Sequence, residues 1–332
     1  LQEIIAYAQT NEAMLNFIYS SELLPDEYDK MIKPTTHTKI APVSIKNRYP
    51  DAISIIDSDK IVSANKLLAN SADNNIIFRL KKPDLHNLQK MISSLLNRCN
   101  RITIITVDIE KYSQKELDEY GDQLLNIQKE LFKYYSNGNT IELNAVSDRM
   151  FLTANNNCNA GIEHVTYAPD GNFYICPAFY FEGPENSIGT INTGINIKNE
   201  HLLTIKHAPI CRNCDAFQCK RCLYTNIKST LEINTPSREQ CYASHLERNQ
   251  SMRLLNRLQD EKGALLNLSP IKELNYLDPF DVLMNKEKMV HADADVNTSS
   301  NSSQNLSEKE ILIKIYEMQE KILQKLIEKD KI

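Results

Sequence analysis

Apolar residues recur three or four positions apart in four stretches of the first half of the chain, at about 1–13, 61–69, 84–98 and 114–135. That spacing keeps one face of a helix dry, and Leu85, Leu88, Met91, Ile92 and Leu95 show it best. Short apolar runs of strand length lie between them: Phe17–Tyr19, Ile40–Val43, Ile53–Ile56, Ile76–Phe78, Ile102–Val107 and Ile141–Leu143. Strands alternating with helices predict an α/β fold, a parallel sheet with helices packed on it. Five or six strands suit an open sheet or part of a barrel, and periodicity does not choose between them.

The pattern changes over residues 148–250. Helical spacing fades, glycine becomes commoner, and one hairpin is legible. Val165 and Tyr167 alternate with polar neighbours, Pro169, Asp170 and Gly171 supply turn residues, and Phe173 and Ile175 alternate on the return. A helical stretch at about 243–260 leads into a connector, assigned to 251–291. Residues 292–306, rich in Asn and Ser, predict a flexible linker. A last amphipathic helix is expected over 307–332. Ser307 can cap it with Glu310 three residues on, Leu306 can staple onto Ile311, and an apolar stripe follows.

Composition narrows the function classes. The chain of 332 residues carries a net charge of −5, which argues against a nucleic-acid partner. It holds no apolar run long enough to cross a bilayer, so no membrane partner is expected. Only Gly121 and Gly138 precede residue 160, so a dinucleotide fingerprint or phosphate loop, each needing clustered glycines, is not present. No secretory signal is visible, and a cytoplasmic location is expected. The chain begins at Leu1 within a helical pattern, and sequence upstream of it is an open expectation.

Cysteine placement is the strongest signal. Cys99 stands alone and reads as a core or helix-end residue, whereas Cys158, Cys176, Cys211, Cys214, Cys219, Cys222 and Cys241 fall in one segment. Two C-x₂-C pairs nearly abut, as C-x₂-C-x₄-C-x₂-C over residues 211–222, and such a pair lets two sulfurs from one turn bind one centre. Disulfides would need an export signal, and buried unligated thiols would not favour these spacings. Structural zinc is the serious alternative. However, zinc ribbons set their pairs farther apart, and seven thiolates fit Cys₄ sites poorly unless His164, His207 or His245 completes a second set. Iron–sulfur ligation is the preferred reading.

The order Cys158, Gly171, Cys176, then Cys211, Cys214, Cys219, Cys222 and a distant Cys241 resembles the SPASM domain, the C-terminal extension of radical S-adenosylmethionine (radical SAM) enzymes that modify ribosomally made peptides. Ile188–Ile191 is similar to that family's glycine-containing strand, while the last two gaps between cysteines are each one residue shorter than is usual there. Over the whole chain, Ile175–Phe179 and Leu23–Tyr28 resemble the maturases associated with CXXX-repeat peptides.

The resemblance implies two auxiliary [4Fe–4S] clusters, one on Cys211, Cys214, Cys219 and Cys241 and the other on Cys158, Cys176 and Cys222 with an open iron. It also implies a partial (β/α) barrel-like domain over 1–147, followed by a small SPASM-like cysteine-rich cluster domain over 148–250. The partners implied are a cysteine-containing precursor peptide and, for a silent relative, a partner maturase. The family's C-x₃-C-x₂-C motif and Gly-Gly-Glu segment are absent from these residues, so S-adenosylmethionine (AdoMet) is expected only if an upstream cysteine motif exists. The alternatives are a catalytically silent relative that recruits the precursor and a zinc-stabilised interaction protein. Asp108, Glu110, Glu142 and Asp148 lie near strand ends, where barrel active sites are built, and none is singled out as catalytic.

Overall fold

In the computed structural model, six strands pair in the order in which the chain makes them, all parallel: β1 (Leu15–Ile18), β2 (His37–Pro42), β3 (Ile53–Asp57), β4 (Asn74–Leu80), β5 (Cys99–Thr106) and β6 (Glu142–Leu143). The structure describes residues 1–10, 12–20, 23–69, 74–262 and 271. The expected linker (292–306), the C-terminal helix (307–332) and most of the connector lie outside these residues. Helix α1 (Gln2–Thr10) precedes the sheet, and α2 (Asp26–Ile32), α3 (Ile61–Leu67), α4 (Leu88–Ser93) and α5 (Gln114–Ser136) make four of its crossovers. Between β2 and β3 the chain makes only a 3₁₀ turn, Val43–Ile45.

Strictly sequential order is the winding of a (β/α) barrel. Right-handed crossovers that always step the same way leave every helix on one face. A doubly wound sheet would reverse direction and bury both faces. The burial along β4 agrees with the first plan. Asn74, Ile76, Phe78 and Leu80 are buried, while Asn75 and Arg79 between them are exposed.

The main core lies under the covered face. Ile56, Ile76, Phe78, Ile102 and Leu143 of the sheet meet Leu88 and Ile92 of α4 and Leu117, Tyr120, Leu124 and Leu131 of α5. Helix α5 starts cleanly because the Ser113 side chain accepts the Glu116 N–H while Glu116 accepts the Ser113 N–H. Its inner face also receives α9 (Arg238–Lys262), whose Leu254, Leu255 and Leu258 are buried in the same core. Full burial of one such leucine contributes about 2 kcal/mol. The two helices come close at Gly121, where an added Cβ would stand 3.3 Å from the Leu246 side chain.

Between α5 and α9 lie α6 (Asp148–Phe151), α7 (Pro177–Glu182), α8 (Leu223–Thr230) and a second, antiparallel sheet. That sheet comprises β7 (Thr166–Tyr167), β8 (Asn172–Tyr174), β9 (Gly189–Thr190) and β10 (Gly194–Ile195) in the order β10-β9-β8-β7. The hairpin expected around Pro169–Gly171 is β7–β8. Tyr167 pairs with Phe173, and Asp170 accepts bonds from the Asn172 N–H and the Tyr174 hydroxyl. Gly189, with φ at 140°, runs so close to β10 that a Cβ would lie 1.9 Å from the Gly194 carbonyl oxygen.

Candidate metal centres

Each cysteine of residues 158–241 sits in a loop, at a helix start or in a helix's first turn, where backbone amides are left over for it. Cys158 lies on a segment paired with the 217–220 loop, for the Asn156 N–H donates to Phe217 O and the Cys158 N–H to Lys220 O, at 2.9 and 3.0 Å. Cys176 follows β8 and precedes α7. Cys211 opens a 3₁₀ turn that brings the Cys214 N–H to its carbonyl, and Cys222 precedes α8. Cys241 sits in the first turn of α9, four residues before His245 and so on the same helix face. None of the eight cysteines is in a disulfide.

A repeated local geometry accompanies these thiols. The Ala216 N–H donates to the Cys214 sulfur at 3.4 Å, and the Ala160, Ala178 and Arg221 amides act on Cys158, Cys176 and Cys219 in the sense that favours their thiolates. Each donor stands two residues after its cysteine. Three of them are alanines, small enough to let the amide approach the sulfur, so a C-x-A pattern was the sequence signal for this feature. At Arg221 the backbone takes φ 45°, a left-handed conformation that a non-glycine residue adopts only when its surroundings hold it there. Amide hydrogen bonds favour the thiolate form and are a principal tuning element of sulfur-ligated iron.

Charge distinguishes the thiols by neighbourhood. The charge of Cys222 acts on both Cys158 and Cys176, that of Cys158 acts on Cys176, and Cys214 acts on Cys219. Burial pushes the thiols of Cys158, Cys176 and Cys219 above the ordinary range, opposed by the amides just described. Arg221 stands among these sulfurs, 3% exposed, within electrostatic reach of Cys211, Cys219 and Cys158. Its Nη2 donates to the Leu203 carbonyl, while its buried Nε and Nη1 meet no acceptor. A buried guanidinium left half-bonded costs several kcal/mol unless an anion faces it. Thiolate-ligated clusters are anionic, so the donor set fits such a group on three counts: thiols, aimed amides and an unanswered cation. Sequence reasoning had not picked out Arg221, because an arginine between two cysteines looks like an ordinary surface residue.

Two histidines meet cysteine sulfurs. His164 Nε2 lies 3.8 Å from Cys158 Sγ, and His245 Nε2 lies 3.4 Å from Cys214 Sγ. His207 instead contacts Thr204 and meets the His201 ring edge-on. Cys214, Asp215 and His245 bring one ligand atom each within 4.8 Å of one another. Yet Asp215 is already engaged. Its carboxylate pairs with Arg248 at 3.1 Å, both side chains nearly enclosed, and its carbonyl accepts from Arg149. The trio thus shares its carboxylate with an arginine.

Cys99 differs in every respect. It is the first residue of β5, 4% exposed, and burial pushes its thiol up to about 12. It lies at the end of the sheet opposite the strand C-termini, where a barrel site would form, so the described residues do not fit a reducing cluster with AdoMet. Of the carboxylates considered near strand ends, Asp108 pairs with Lys111, and both Glu142 and Asp148 pair with Arg101.

No family model matches the chain, and no curated protein matches it. Among solved structures it is similar to hexahistidine-tagged anSMEcpe with bound AdoMet, with a TM-score of 0.54, 13% identity and coverage of 79% of this chain and 87% of that one. It is also similar to native anSMEcpe with bound AdoMet and Kp18Cys peptide, with a TM-score of 0.52, 12% identity and coverage of 78% and 90%. The form with the Cp18Cys peptide gives the same values. At such identity the likeness is one of fold. No helix among the described residues is long and apolar enough to cross a membrane.

Proposed function

We propose that residues 158–241 hold two [4Fe–4S] clusters and that the chain serves in the maturation of a ribosomally made, cysteine-containing peptide in the cytoplasm. The observation that carries this reading is the set of backbone amides that favour the thiolates of Cys158, Cys176, Cys214 and Cys219, together with the half-bonded Arg221 within electrostatic reach of Cys158, Cys211 and Cys219. One centre draws on Cys158, Cys176 and Cys222, the other on Cys211, Cys214, Cys219 and Cys241. Bound clusters would supply electron transfer, while the chain's own residues bind them, aim N–H groups at their sulfurs and balance their charge.

The solved neighbours hold peptides, which supports a peptide partner, and the CXXX-repeat resemblance extends this to a repeat-bearing precursor. A second reading rests on Cys99. With that thiol buried at the wrong end of the sheet, the described residues recruit the precursor and a partner maturase provides the AdoMet chemistry. Anaerobic purification of the full chain tests the cluster reading. About eight irons and eight sulfides per chain are expected for two four-iron clusters, and colourless protein with stoichiometric zinc would end it. Co-expression with a repeat-bearing precursor, with and without a partner maturase, then separates the two readings by the mass change of the peptide.

A further inference from the structure

One face of α9 is turned to the loop that carries Cys214 and Cys219. Cys241, Ser244, His245 and Arg248 stand three or four residues apart, so they share that face. Arg248 Nη1 donates to the carboxylate of Asp215, next to Cys214, at 3.1 Å. The Ser244 carbonyl accepts from Gln218, next to Cys219, at 2.7 Å. Between these two anchors, His245 Nε2 lies 3.4 Å from Cys214 Sγ. Resting on the cluster reading above, we propose that His245 is a positioning residue: its Nε2–H donates to the ligating Cys214 sulfur and raises the potential of the centre bound there.

A sulfur that ligates iron is a thiolate and carries no proton, so within this pair only the imidazole can donate. Nor is the ring itself a ligand. Each iron of a four-iron cluster offers the protein one place, and on the iron held by Cys214 the sulfur fills it. The Ala216 N–H reaches the same sulfur, also at 3.4 Å, so Cys214 takes one donor from its own loop and one from α9. His245 is 8% exposed, and its burial keeps water from competing for the bond. Donors to a ligating sulfur offset its negative charge and so favour the reduced cluster. His164 makes a weaker contact of this kind, 3.8 Å from the exposed Cys158.

The experiment compares the anaerobically loaded full chain, labelled with ¹⁵N-histidine, as wild type, His245→Phe and His245→Gln. Phenylalanine keeps the ring volume without a donor, while glutamine returns an N–H close to the place of Nε2. Redox titration followed by electron paramagnetic resonance should show one midpoint potential falling in His245→Phe, with iron content unchanged. In His245→Gln that potential should stay near the wild-type value. Electron–nuclear double resonance of the reduced protein should show a weak ¹⁵N coupling that is lost from both variants. A strong coupling of directly bound nitrogen, lost in His245→Phe, makes the imidazole a ligand and overturns the proposal. Equal potentials in all three proteins at equal iron content overturn it too, and leave the cluster reading intact. Zinc in place of iron ends the cluster reading and this proposal with it. Should His245→Phe fail to fold, His245→Gln decides: the weak coupling vanishes while the potential holds, and a coupling that persists overturns the proposal.

Discussion

If residues 158–241 hold clusters as proposed, Arg221 is expensive in the empty protein and useful in the filled one. With two buried N–H groups unanswered, it weakens the metal-free fold. Facing anionic centres, the same charge favours the more negative, reduced state. Arg221→Met should therefore raise the stability of the metal-free protein by about 1–3 kcal/mol, measured by urea denaturation. In the loaded protein it should lower the midpoint potentials of the clusters and speed the loss of iron to a chelator. Equal destabilisation of both forms would mean that the guanidinium serves packing alone. The aimed amides work at the same scale but resist mutation, since they belong to the backbone. Substitution reaches only the side chains at those +2 positions, Ala160, Ala178 and Ala216 besides Arg221 itself.

Among the elements, β9 and β10 depend most sharply on one residue. Gly189→Ala would drive a methyl into the Gly194 carbonyl and demand a left-handed φ of alanine. A loss of about 1–3 kcal/mol is expected, with faster amide exchange over residues 186–196 and little change in β4 and β5. Legibility in the sequence followed the same local logic. The six parallel strands and α5 were plain because their apolar spacing is also their burial pattern, as β4 shows. The hairpin at Pro169–Gly171 was plain because turn chemistry is local. By contrast, α2, α7 and α8 went unseen. They are short, and α2 is held by long-range partners, Arg48 reaching back to Asp26 and Asp29 at 2.7 and 2.8 Å. The thiols could be named from spacing. Their amides, Arg221 and the thiol–histidine pairs could not, since each arises from segments that meet only in three dimensions.

Across the whole molecule, α9 is what the cysteine loops and the parallel sheet have in common. Tyr120 of α5 donates to Glu247 at 2.8 Å, Gln218 beside Cys219 donates to the Ser244 carbonyl at 2.7 Å, and Ser251 donates to the Val146 carbonyl. Burial, aided by the charge of Asp148, pushes Glu247 up to about 7. The folded metal-free protein thus holds a proton that the unfolded chain has already released. The stability this confers is complete below the ordinary carboxylate range and is lost as pH rises through about 7. Denaturation at pH 5 and pH 8 should show the wild type losing on the order of 2–3 kcal/mol more than Glu247→Gln over that interval. The shared helix also ties the two ends of this arrangement together. Cys241 stands in the first turn of the same helix that buries Leu254, Leu255 and Leu258 under the sheet. Under the assignment of Cys241 to a cluster, whatever pulls α9 out of its seat would also draw one sulfur away from the metal, so loosening at one end is felt at the other.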